Sequence, residues 1–244
     1  MKSYEVISLD LFSTLVYVET ENYNPWATLE DAIVHTPYYK EDIHPYVSVE
    51  ELSEAYYSQI RQLMENKARE VEFSNIDVIL DVFSRYGIDS DLTHLHQIAS
   101  TIIQNYFNNI LQLIKIYPEV HETLEYLRNR GYTLVLSSNH SFPQNGWSVL
   151  EKYDLGSYFT QITFSGQIGW RKPSKKFFTK ALSGVSYTDK QRIIHVGDDP
   201  LSDVRGAMAF GIHALWIRSP DQKERTIEGV IAIIEEFRQL PKYV

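Results

Sequence analysis

The stretch that decides the fold is Tyr4–Val18, which reads YEVISLDLFSTLVYV. An apolar, partly β-branched run begins at Val6 and predicts a short buried strand. The strand ends at Asp10, shortly before the polar residues Ser13 and Thr14. A single aspartate after a strand commonly caps a turn. Asp10 therefore needs support from the rest of the chain before it indicates any chemistry.

The next stretch, from about Glu19 to Leu113, carries helical signals and no convincing strand. Ser48 and Glu51 form a capping box ahead of apolar residues at helical spacing. Gly87 marks the end of a further helix. We therefore expect a block of helices inserted directly after the first strand.

The third stretch, from about Ile116 to Val244, alternates between strand and helix. Strands are predicted at Thr133–Leu136, Phe159–Phe164, Ile193–Val196 and Ala214–Ile217, and a last helix is predicted over Ile227–Phe237. Such alternation is typical of an α/β fold, with a parallel sheet covered by helices on both faces.

Composition limits the possible partners. The 244 residues carry a net charge of -9, which argues against nucleic acid as a partner. The chain has no cysteine, so disulfides and cysteine-based zinc sites are excluded. No apolar run approaches the roughly 20 residues of a membrane span, and Met1–Asp10 lacks the apolar core of a signal peptide. We expect a cytoplasmic protein that binds no membrane.

Polar residues stand where three predicted strands end. Asp10, Ser138 and Asp198 each follow an apolar strand. Ligands of open α/β sheets bind at the carboxyl ends of the strands, so these side chains are expected to share one crevice. His195 has the opposite strand parity to Asp198 and is expected to be a core histidine with satisfied hydrogen bonds.

Three carboxylates, those of Asp198, Asp199 and Asp203, fall within six residues of each other. They repel one another unless a cation or solvent separates them, and Mg²⁺ binds one or two carboxylates together with water and substrate phosphate. The alternative is that Asp203 caps the following helix while Asp199 is solvated. That alternative accounts for one or two of the three acids but not easily for all three.

Two further segments supply groups suited to phosphate. Lys172 precedes Pro173 at a predicted helix start, where its ammonium can steady an attacking carboxylate and a phosphoryl group. Ser138 and Asn139 offer a hydroxyl and an amide for phosphate oxygens. The alternatives are a surface lysine and an ordinary Ser/Asn turn.

Taken in order, four segments resemble the motifs of the haloacid dehalogenase-like (HAD) superfamily. They are Leu9–Leu15, Ser138-Asn139, Lys172-Pro173 and Gly197–Asp203. The resemblance extends over essentially the whole chain. It implies a Rossmann-like core of residues 1–18 and 114–244, with an all-helical cap of residues 19–113 inserted after the first core strand.

The resemblance also implies a site. Asp10 would attack a phosphorus or carbon centre, and water would hydrolyse the resulting aspartyl intermediate. Mg²⁺ would be held by Asp10, the backbone carbonyl of Phe12 and Asp198, with Asp203 binding directly or through water. Ser138 and Lys172 would act with Asp10 in catalysis. The residues implied in phosphate binding are Leu11, Phe12, Ser138, Asn139 and Lys172.

One position departs from the family pattern. Phosphatases of the superfamily carry a second aspartate two residues after the nucleophile as general acid and base, and here Phe12 stands there. Phenylalanine cannot transfer a proton, and proton transfer typically contributes about 100- to 10,000-fold. His140 is one candidate replacement, against an ordinary role at the rim of the pocket.

An aromatic residue at this position also occurs in the 2-haloacid dehalogenase branch. That branch uses an arginine from the early cap, whereas the first arginine here is Arg61, and it lacks the carboxylates of Asp198 and Asp199. A phosphatase acting on a small phosphorylated metabolite is therefore favoured. A dehalogenase stays an alternative, as does a member that binds a phosphorylated ligand without turnover, which Phe12 and Ser13 in place of the usual glycine indicate.

Overall fold

The computed structural model describes residues 4–21, 23–66 and 69–244. Contacts divide the chain into two compact units. The first unit comprises Met1–Tyr17, Lys67–Glu72 and Lys115–Val244, and the second comprises Val18–Asn66 and Phe73–Ile114. The division into a core of 1–18 and 114–244 and a cap of 19–113 stays a prediction, and residues 1–3, 22, 67 and 68 of those ranges lie outside the described residues.

Parallel strands form the centre of the first unit. The strands of the described chain are β1 (Val6–Leu9), β2 (Val16–Val18), β3 (Ile114–Ile116), β4 (Thr133–Ser138), β5 (Gln161–Phe164), β6 (Ile193–Gly197), β7 (His213–Ile217) and β8 (Ala232–Ile234). Among the described residues, six of them form one sheet in the order β5-β4-β1-β6-β7-β8, and its neighbours are parallel. The predicted α/β class with a parallel sheet is confirmed. β2 and β3 form a separate two-stranded sheet.

The register places β1 between the two strands whose ends carry the other polar residues. Val6 lies opposite Thr133 of β4 on one side and Ile193 of β6 on the other. All four residues of β1 are buried, as expected for a strand with neighbours on both sides. The ends of β4, β1 and β6 therefore lie side by side at one edge of the sheet.

Helices surround this sheet and form the second unit. The second unit contains α1 (Pro25–Val34), α2 (Val49–Glu65), α3 (Asn75–Arg85) and α4 (Leu92–Leu113), and the first contains α5 (Val120–Asn129), α6 (Pro143–Lys152), α7 (Ser165–Ile168), α8 (Lys175–Ala181) and α9 (Gly206–Phe210). Shorter turns of π type cover Tyr39–Ile43 and Pro200–Arg205, and 3₁₀ turns cover Gly156–Tyr158, Lys190–Arg192 and Phe237–Lys242.

The helical signals of the second stretch are confirmed at the level of single elements. The Ser48 hydroxyl accepts a hydrogen bond from the Glu51 amide at 3.2 Å, and the Glu51 carboxylate accepts one from the Ser48 amide at 3.3 Å. This reciprocal box starts α2. Gly87 has a φ of +69° just beyond α3, a conformation that glycine adopts at little steric cost.

The helix predicted over Ile227–Phe237 was wrong. β8 lies within this segment, a 3₁₀ turn begins only at its last residue, Phe237, and Gly229 has a φ of +85°. Ile233 pairs with Trp216, so the edge of β7 supplies the backbone partners that a helix would have supplied internally. The short strands β2 and β3 were also missed, because three residues carry too little periodicity to be read.

The described residues include no helix that combines the length and the apolar character needed to cross a bilayer.

Candidate active site

The site lies within the first unit, at the ends of β1 and β6. The Asp10 amide donates to the Val196 carbonyl at 2.9 Å, which fixes Asp10 beside β6 as it leaves β1. Gly197 ends β6, and a Cβ added there would lie 2.3 Å from Cγ of Asp203. Glycine at this position therefore lets the Asp203 side chain pack against the end of the strand.

Lys172 is the central cation of the site. Its side chain is 1% exposed, and Nζ donates to Asp10 Oδ1 at 2.7 Å, to Asp203 Oδ1 at 2.5 Å and to the Ser137 carbonyl at 2.7 Å. An ammonium has three donors, and all three are used. The surface-lysine alternative is wrong, since a buried ammonium of this kind needs the two carboxylates that it contacts.

Asn139 holds the backbone of Lys172. Its Oδ1 accepts from the Lys172 amide at 2.7 Å, and its Nδ2 donates to the Lys172 carbonyl at 3.0 Å. The Asn139 side-chain amide therefore positions the backbone of the lysine. Ser138 is buried at the end of β4. Phosphate binding by Ser138, Asn139, Leu11 and Phe12 stays a prediction.

Asp203 is buried and has partners on both carboxylate oxygens. Oδ1 accepts from Lys172 and lies 3.0 Å from His195 Nε2, and Oδ2 accepts from the Asp199 amide at 3.0 Å. Asp199 is the residue that caps the following turn, where its Oδ1 accepts from the Leu201 and Ser202 amides at 2.9 and 2.6 Å. The alternative that assigned the cap to Asp203 and solvent to Asp199 was wrong.

A polar layer below these charges was not recognised from the sequence. His195 is fully buried, and its Nδ1 lies 2.9 Å from the Ser8 hydroxyl, which donates to the Ser137 hydroxyl at 2.9 Å. His195 has satisfied hydrogen bonds, as expected, but one of its partners is Asp203. Polar residues at register-matched positions of the buried strands β1 and β6 were the available signal, since Ser8 lies opposite His195.

Asp10, Asp198 and Asp203 can share a cation. Each offers a carboxylate oxygen, and these atoms lie within 4.8 Å of one another. Among the hydrogen bonds and ion pairs of residues 4–21, 23–66 and 69–244, none involves the Asp198 carboxylate, whereas its backbone carbonyl accepts from Trp216 and Gln222. Three carboxylates face one ammonium, and this hard-oxygen donor set fits Mg²⁺.

The electrostatics of the carboxylates agree with this reading. Burial raises the pKa of Asp10 to about 6, with the Asp203 charge adding to the shift and Lys172 opposing it. Burial likewise raises the pKa of Asp198 to about 8, and the charges of Asp203 and Asp10 add to it. Without a cation, both groups resist ionisation.

Asp203 and Lys172 behave differently because they form a close ion pair. Burial favours a higher pKa for Asp203, but the Lys172 ammonium and the hydrogen bond from His195 hold it below its usual range. Burial favours a lower pKa for Lys172, and the charges of Asp10 and Asp203 raise it instead. This pair stays ionised at neutral pH.

Phe12 and His140 follow the ends of β1 and β4 and form an aromatic pair, here called the rim, whose ring centroids lie 5.0 Å apart. Nε2 of His140 lies 3.1 Å from Asn145 Oδ1. Burial lowers the pKa of His140 to about 4, against the hydrogen bond to Asn145. The imidazole is therefore neutral at pH 7 and is a poor proton donor there. Ser13, directly after Phe12, has a φ of +58°. Glycine adopts this left-handed conformation at lower steric cost than a residue with a side chain.

Known proteins resemble this chain in sequence or in fold. A family model described as haloacid dehalogenase-like hydrolase matches residues 38–217, a range that includes Ser138, Lys172, Asp198 and Asp203 and begins after Asp10. Phosphoserine phosphatase of Thermus thermophilus is 33% identical over 102 residues, which are 42% of this chain and 40% of that protein. Glyceraldehyde 3-phosphate phosphatase of Pyrococcus abyssi is 27% identical over 128 residues, which are 52% and 53% of the two chains.

The aligned parts thus span about half of these curated relatives or less. Among solved structures, a 2-haloacid dehalogenase of Pseudomonas syringae pv. Tomato is similar over nearly the whole chain. Its TM-score is 0.70 at 27% sequence identity, covering 98% of this chain and 97% of that one.

Proposed function

The chain belongs to the haloacid dehalogenase-like hydrolase family, and on that premise we propose that it is a Mg²⁺-dependent phosphatase of small phosphorylated metabolites that acts through an aspartyl-phosphate on Asp10. The observation that carries the proposal is the set of Asp10, Asp198 and Asp203, whose ligand atoms lie within 4.8 Å of one another beside a single ammonium. Such a set attracts a divalent cation together with a phosphoryl group and repels a free carboxylate substrate. Phosphatases among the relatives add support.

Asp10 is the proposed nucleophile. One of its carboxylate oxygens forms a bond to phosphorus while the bond from phosphorus to the leaving oxygen breaks. Lys172 holds Oδ1 of Asp10 at 2.7 Å, so its ammonium orients the carboxylate and offsets negative charge beside it. Water then attacks phosphorus, which releases inorganic phosphate and restores the Asp10 carboxylate.

The cation would be held by Asp10, the Phe12 carbonyl and Asp198. Because both oxygens of Asp203 already accept hydrogen bonds from the protein, we assign Asp203 a contact through water. Mg²⁺, when bound, supplies positive charge that offsets the charge of the carboxylates and of the transferring phosphoryl group.

Protonation of the leaving group is the weak point of this machinery. Phe12 offers no proton, and the pKa of His140, lowered by burial to about 4, leaves its ring neutral at pH 7. An alkoxide leaving group therefore departs without help, whereas a nitrophenolate needs none. We accordingly expect turnover of aryl phosphates to exceed turnover of alkyl phosphates.

A substrate screen tests the proposal. The protein is assayed with p-nitrophenyl phosphate and a panel of small phosphomonoesters, with Mg²⁺ and with EDTA. Turnover that requires Mg²⁺ and disappears in Asp10→Asn supports the phosphatase. Absence of release from every phosphomonoester overturns it, and phosphate binding without release then indicates the binding-only alternative.

The dehalogenase is the second candidate, favoured by Phe12 and by the likeness to a 2-haloacid dehalogenase over 98% of the chain. Carbon–halogen cleavage expels a halide that needs no proton, so an aromatic residue at position 12 is no handicap. Halide release from 2-chloropropionate in EDTA would favour this function. No halide release from 2-chloropropionate, with Mg²⁺ or with EDTA, would exclude it.

A further inference from the structure

The segment Arg69–Glu72 lies in sequence between α2 and α3 but packs within the first unit. Val71 forms an antiparallel bridge with Trp170. The Glu72 amide donates to the Gly169 carbonyl at 3.0 Å, and the Arg171 amide donates to the Glu70 carbonyl at 2.8 Å. The inserted stretch thus pairs with the residues directly before Lys172, and we call residues 69–72 the strap.

Glu72 is the buried acid of the strap. Its side chain is 3% exposed, and it accepts a hydrogen bond from the Ser165 hydroxyl at 2.5 Å. The guanidinium of Arg171 lies 3.4 Å from the carboxylate, and that of Arg69 lies 3.6 Å from it. A carboxylate this deeply buried needs such partners, and in return it separates two like charges. Nearness to Arg171 also contributes to the lowered pKa of Arg69, after burial.

Ser165 connects this carboxylate to the loop that ends β4. The Ser165 hydroxyl donates its proton to Glu72 and accepts from the His140 amide at 2.7 Å. The Gly166 amide donates to the His140 carbonyl at 3.1 Å. Both backbone groups of the residue after Asn139 are therefore fixed. Hydrogen bonds in series polarise one another, so an ionised Glu72 strengthens the bond to the His140 amide.

The chain of contacts ends at the nucleophile. Asn139 holds the amide and the carbonyl of Lys172, and Nζ of Lys172 contacts Asp10. Glu72 also contacts Arg171, the neighbour of Lys172 in sequence. Glu72 therefore contacts both segments that set the position of Lys172, which are the loop after β4, reached through Ser165, and Arg171.

We propose that Glu72 is a positioning residue of the active site, which the inserted stretch contributes to hold the 138–140 loop and Lys172 in place through Ser165 and Arg171. Its role in turnover rests on the proposed phosphatase function. Groups that orient catalytic side chains from behind typically matter about 10- to 100-fold in activity. Glu72→Gln keeps the shape and one acceptor but removes the charge, so the lower end of that range is expected.

The test compares Glu72→Gln and Ser165→Ala with Glu70→Gln, a matched control in the same strap whose carboxylate contacts Ser174 instead. We expect Glu72→Gln and Ser165→Ala each to lower kcat for p-nitrophenyl phosphate about ten-fold with little change in KM. In the double variant, kcat should fall no further than in the more strongly affected single variant. Both substitutions disrupt the same hydrogen bond, the one from Ser165 to Glu72. Glu70→Gln should stay near wild type.

Amide hydrogen exchange of the 138–142 region, followed by mass spectrometry, is measured on the wild type and on these four variants. Faster exchange there in Glu72→Gln and Ser165→Ala, with an unfolding midpoint near that of wild type, supports the positioning role even without a turnover assay. Wild-type exchange and wild-type kcat in both variants would overturn it, as would losses that multiply in the double variant. Wild-type protein that hydrolyses no phosphomonoester removes the phosphatase proposal, while the exchange result still decides whether Glu72 holds the loop. Should Glu72→Gln fail to fold, Ser165→Ala alone decides the matter by the same two measurements.

Discussion

The site has two parts with different capacities. One part is a charged floor, defined by Asp10, Lys172, Asp198 and Asp203, and the other is an aromatic rim, defined by Phe12 and His140. The floor concentrates carboxylates and one ammonium in a buried volume, where fixed charges act strongly. The rim contains a ring without an exchangeable proton and an imidazole with a pKa lowered by burial to about 4.

Under the proposed function, this difference assigns two tasks of a hydrolase to separate residues. In the proposed phosphatase, the floor with its bound Mg²⁺ would stabilise negative charge, and the rim would be the place to move protons. This chain has the groups for the first task and lacks the usual group for the second. Variants of the floor should therefore have much larger effects than variants of the rim.

Loss of the nucleophile should have the largest effect. Asp10→Asn removes the attacking carboxylate and is expected to lower kcat for p-nitrophenyl phosphate by about 10,000-fold or more. Asp199→Asn is the matched control, since asparagine also caps the turn that starts at Pro200. Near-equal activity of the two variants would mean that Asp10 is not the nucleophile.

Removal of the Lys172 ammonium should have the second-largest effect. Lys172→Met should lower kcat by roughly 100- to 1,000-fold. It also leaves Asp10 and Asp203 buried without their partner, which costs about 3–5 kcal/mol of unfolding free energy. Urea denaturation and steady-state kinetics measure the two effects. Lys175→Met, at an exposed lysine of the same segment, should change neither; an equal loss there would contradict the special role of Lys172.

A proton donor placed on the rim should raise activity. Phe12→Asp restores the acid found at this position in family phosphatases and should speed turnover of alkyl phosphates by about 100-fold, the lower end of what proton transfer contributes. Aryl phosphates should gain less at the first step, because nitrophenolate leaves unprotonated. Phe12→Leu controls for loss of the ring. An unchanged ratio of alkyl to aryl turnover in Phe12→Asp would show that the rim does not limit the reaction.

The floor also predicts how the metal-free protein responds to pH. The folded-state pKa of Asp198, raised by burial to about 8, lies above the unfolded value of about 3.9. Folding therefore retains a proton, and the associated stability is lost as pH rises through about 8. His195 and His140 have lowered pKa values and act in the opposite sense, but their contribution is complete above the unfolded pKa of about 6.5.

Thermal unfolding from pH 6.5 to 8.5 in EDTA should accordingly show a midpoint that falls by a few degrees. Mg²⁺ should restore the midpoint most strongly at the upper end, because it binds the ionised carboxylates. Asp198→Asn should flatten the profile and abolish the effect of Mg²⁺. A wild-type midpoint that rises over this range in EDTA would refute the assignment.

The smallest effect concerns Ser13, which directly follows Phe12 in the chain. Ser13 has a φ of +58°, a region that costs a side-chain-bearing residue about 1 kcal/mol. Ser13→Gly should therefore raise the unfolding free energy by somewhat less than that amount, because glycine also gains freedom in the unfolded chain. Asp154→Gly, at a φ of +51° after α6, is the matched control and should gain similarly. Destabilisation by Ser13→Gly alone would indicate that its hydroxyl has a role in the site.

Much of the floor was predictable from the sequence because its parts sit at the ends of strands that periodicity reveals. Asp10 directly follows the short strand Val6–Leu9, and Asp198 directly follows the strand Ile193–Gly197. Parallel pairing brings such ends together without further information. The order of the motifs then indicated Lys172 as the cation.

Other features depend on contacts that no local pattern carries. Ile227 and Val230 mimic helical spacing, and only the open edge of β7 decides that the following residues form β8. Asp199 and Asp203 are both plausible caps in sequence, and the buried partners Lys172 and His195 decide between them. The strap was not anticipated at all, because it joins residues about a hundred positions apart.

The most direct test of the account is a rapid-mix experiment with wild-type protein, Mg²⁺ and p-nitrophenyl phosphate, quenched in acid and analysed by peptide mass spectrometry. Because Phe12 cannot activate water, the aspartyl-phosphate should form faster than it is hydrolysed. We predict a burst of nitrophenolate comparable to the enzyme concentration and a phosphoryl group on the peptide that contains Asp10. Steady turnover without a burst, and with an unmodified Asp10 peptide at every quench time, would contradict it.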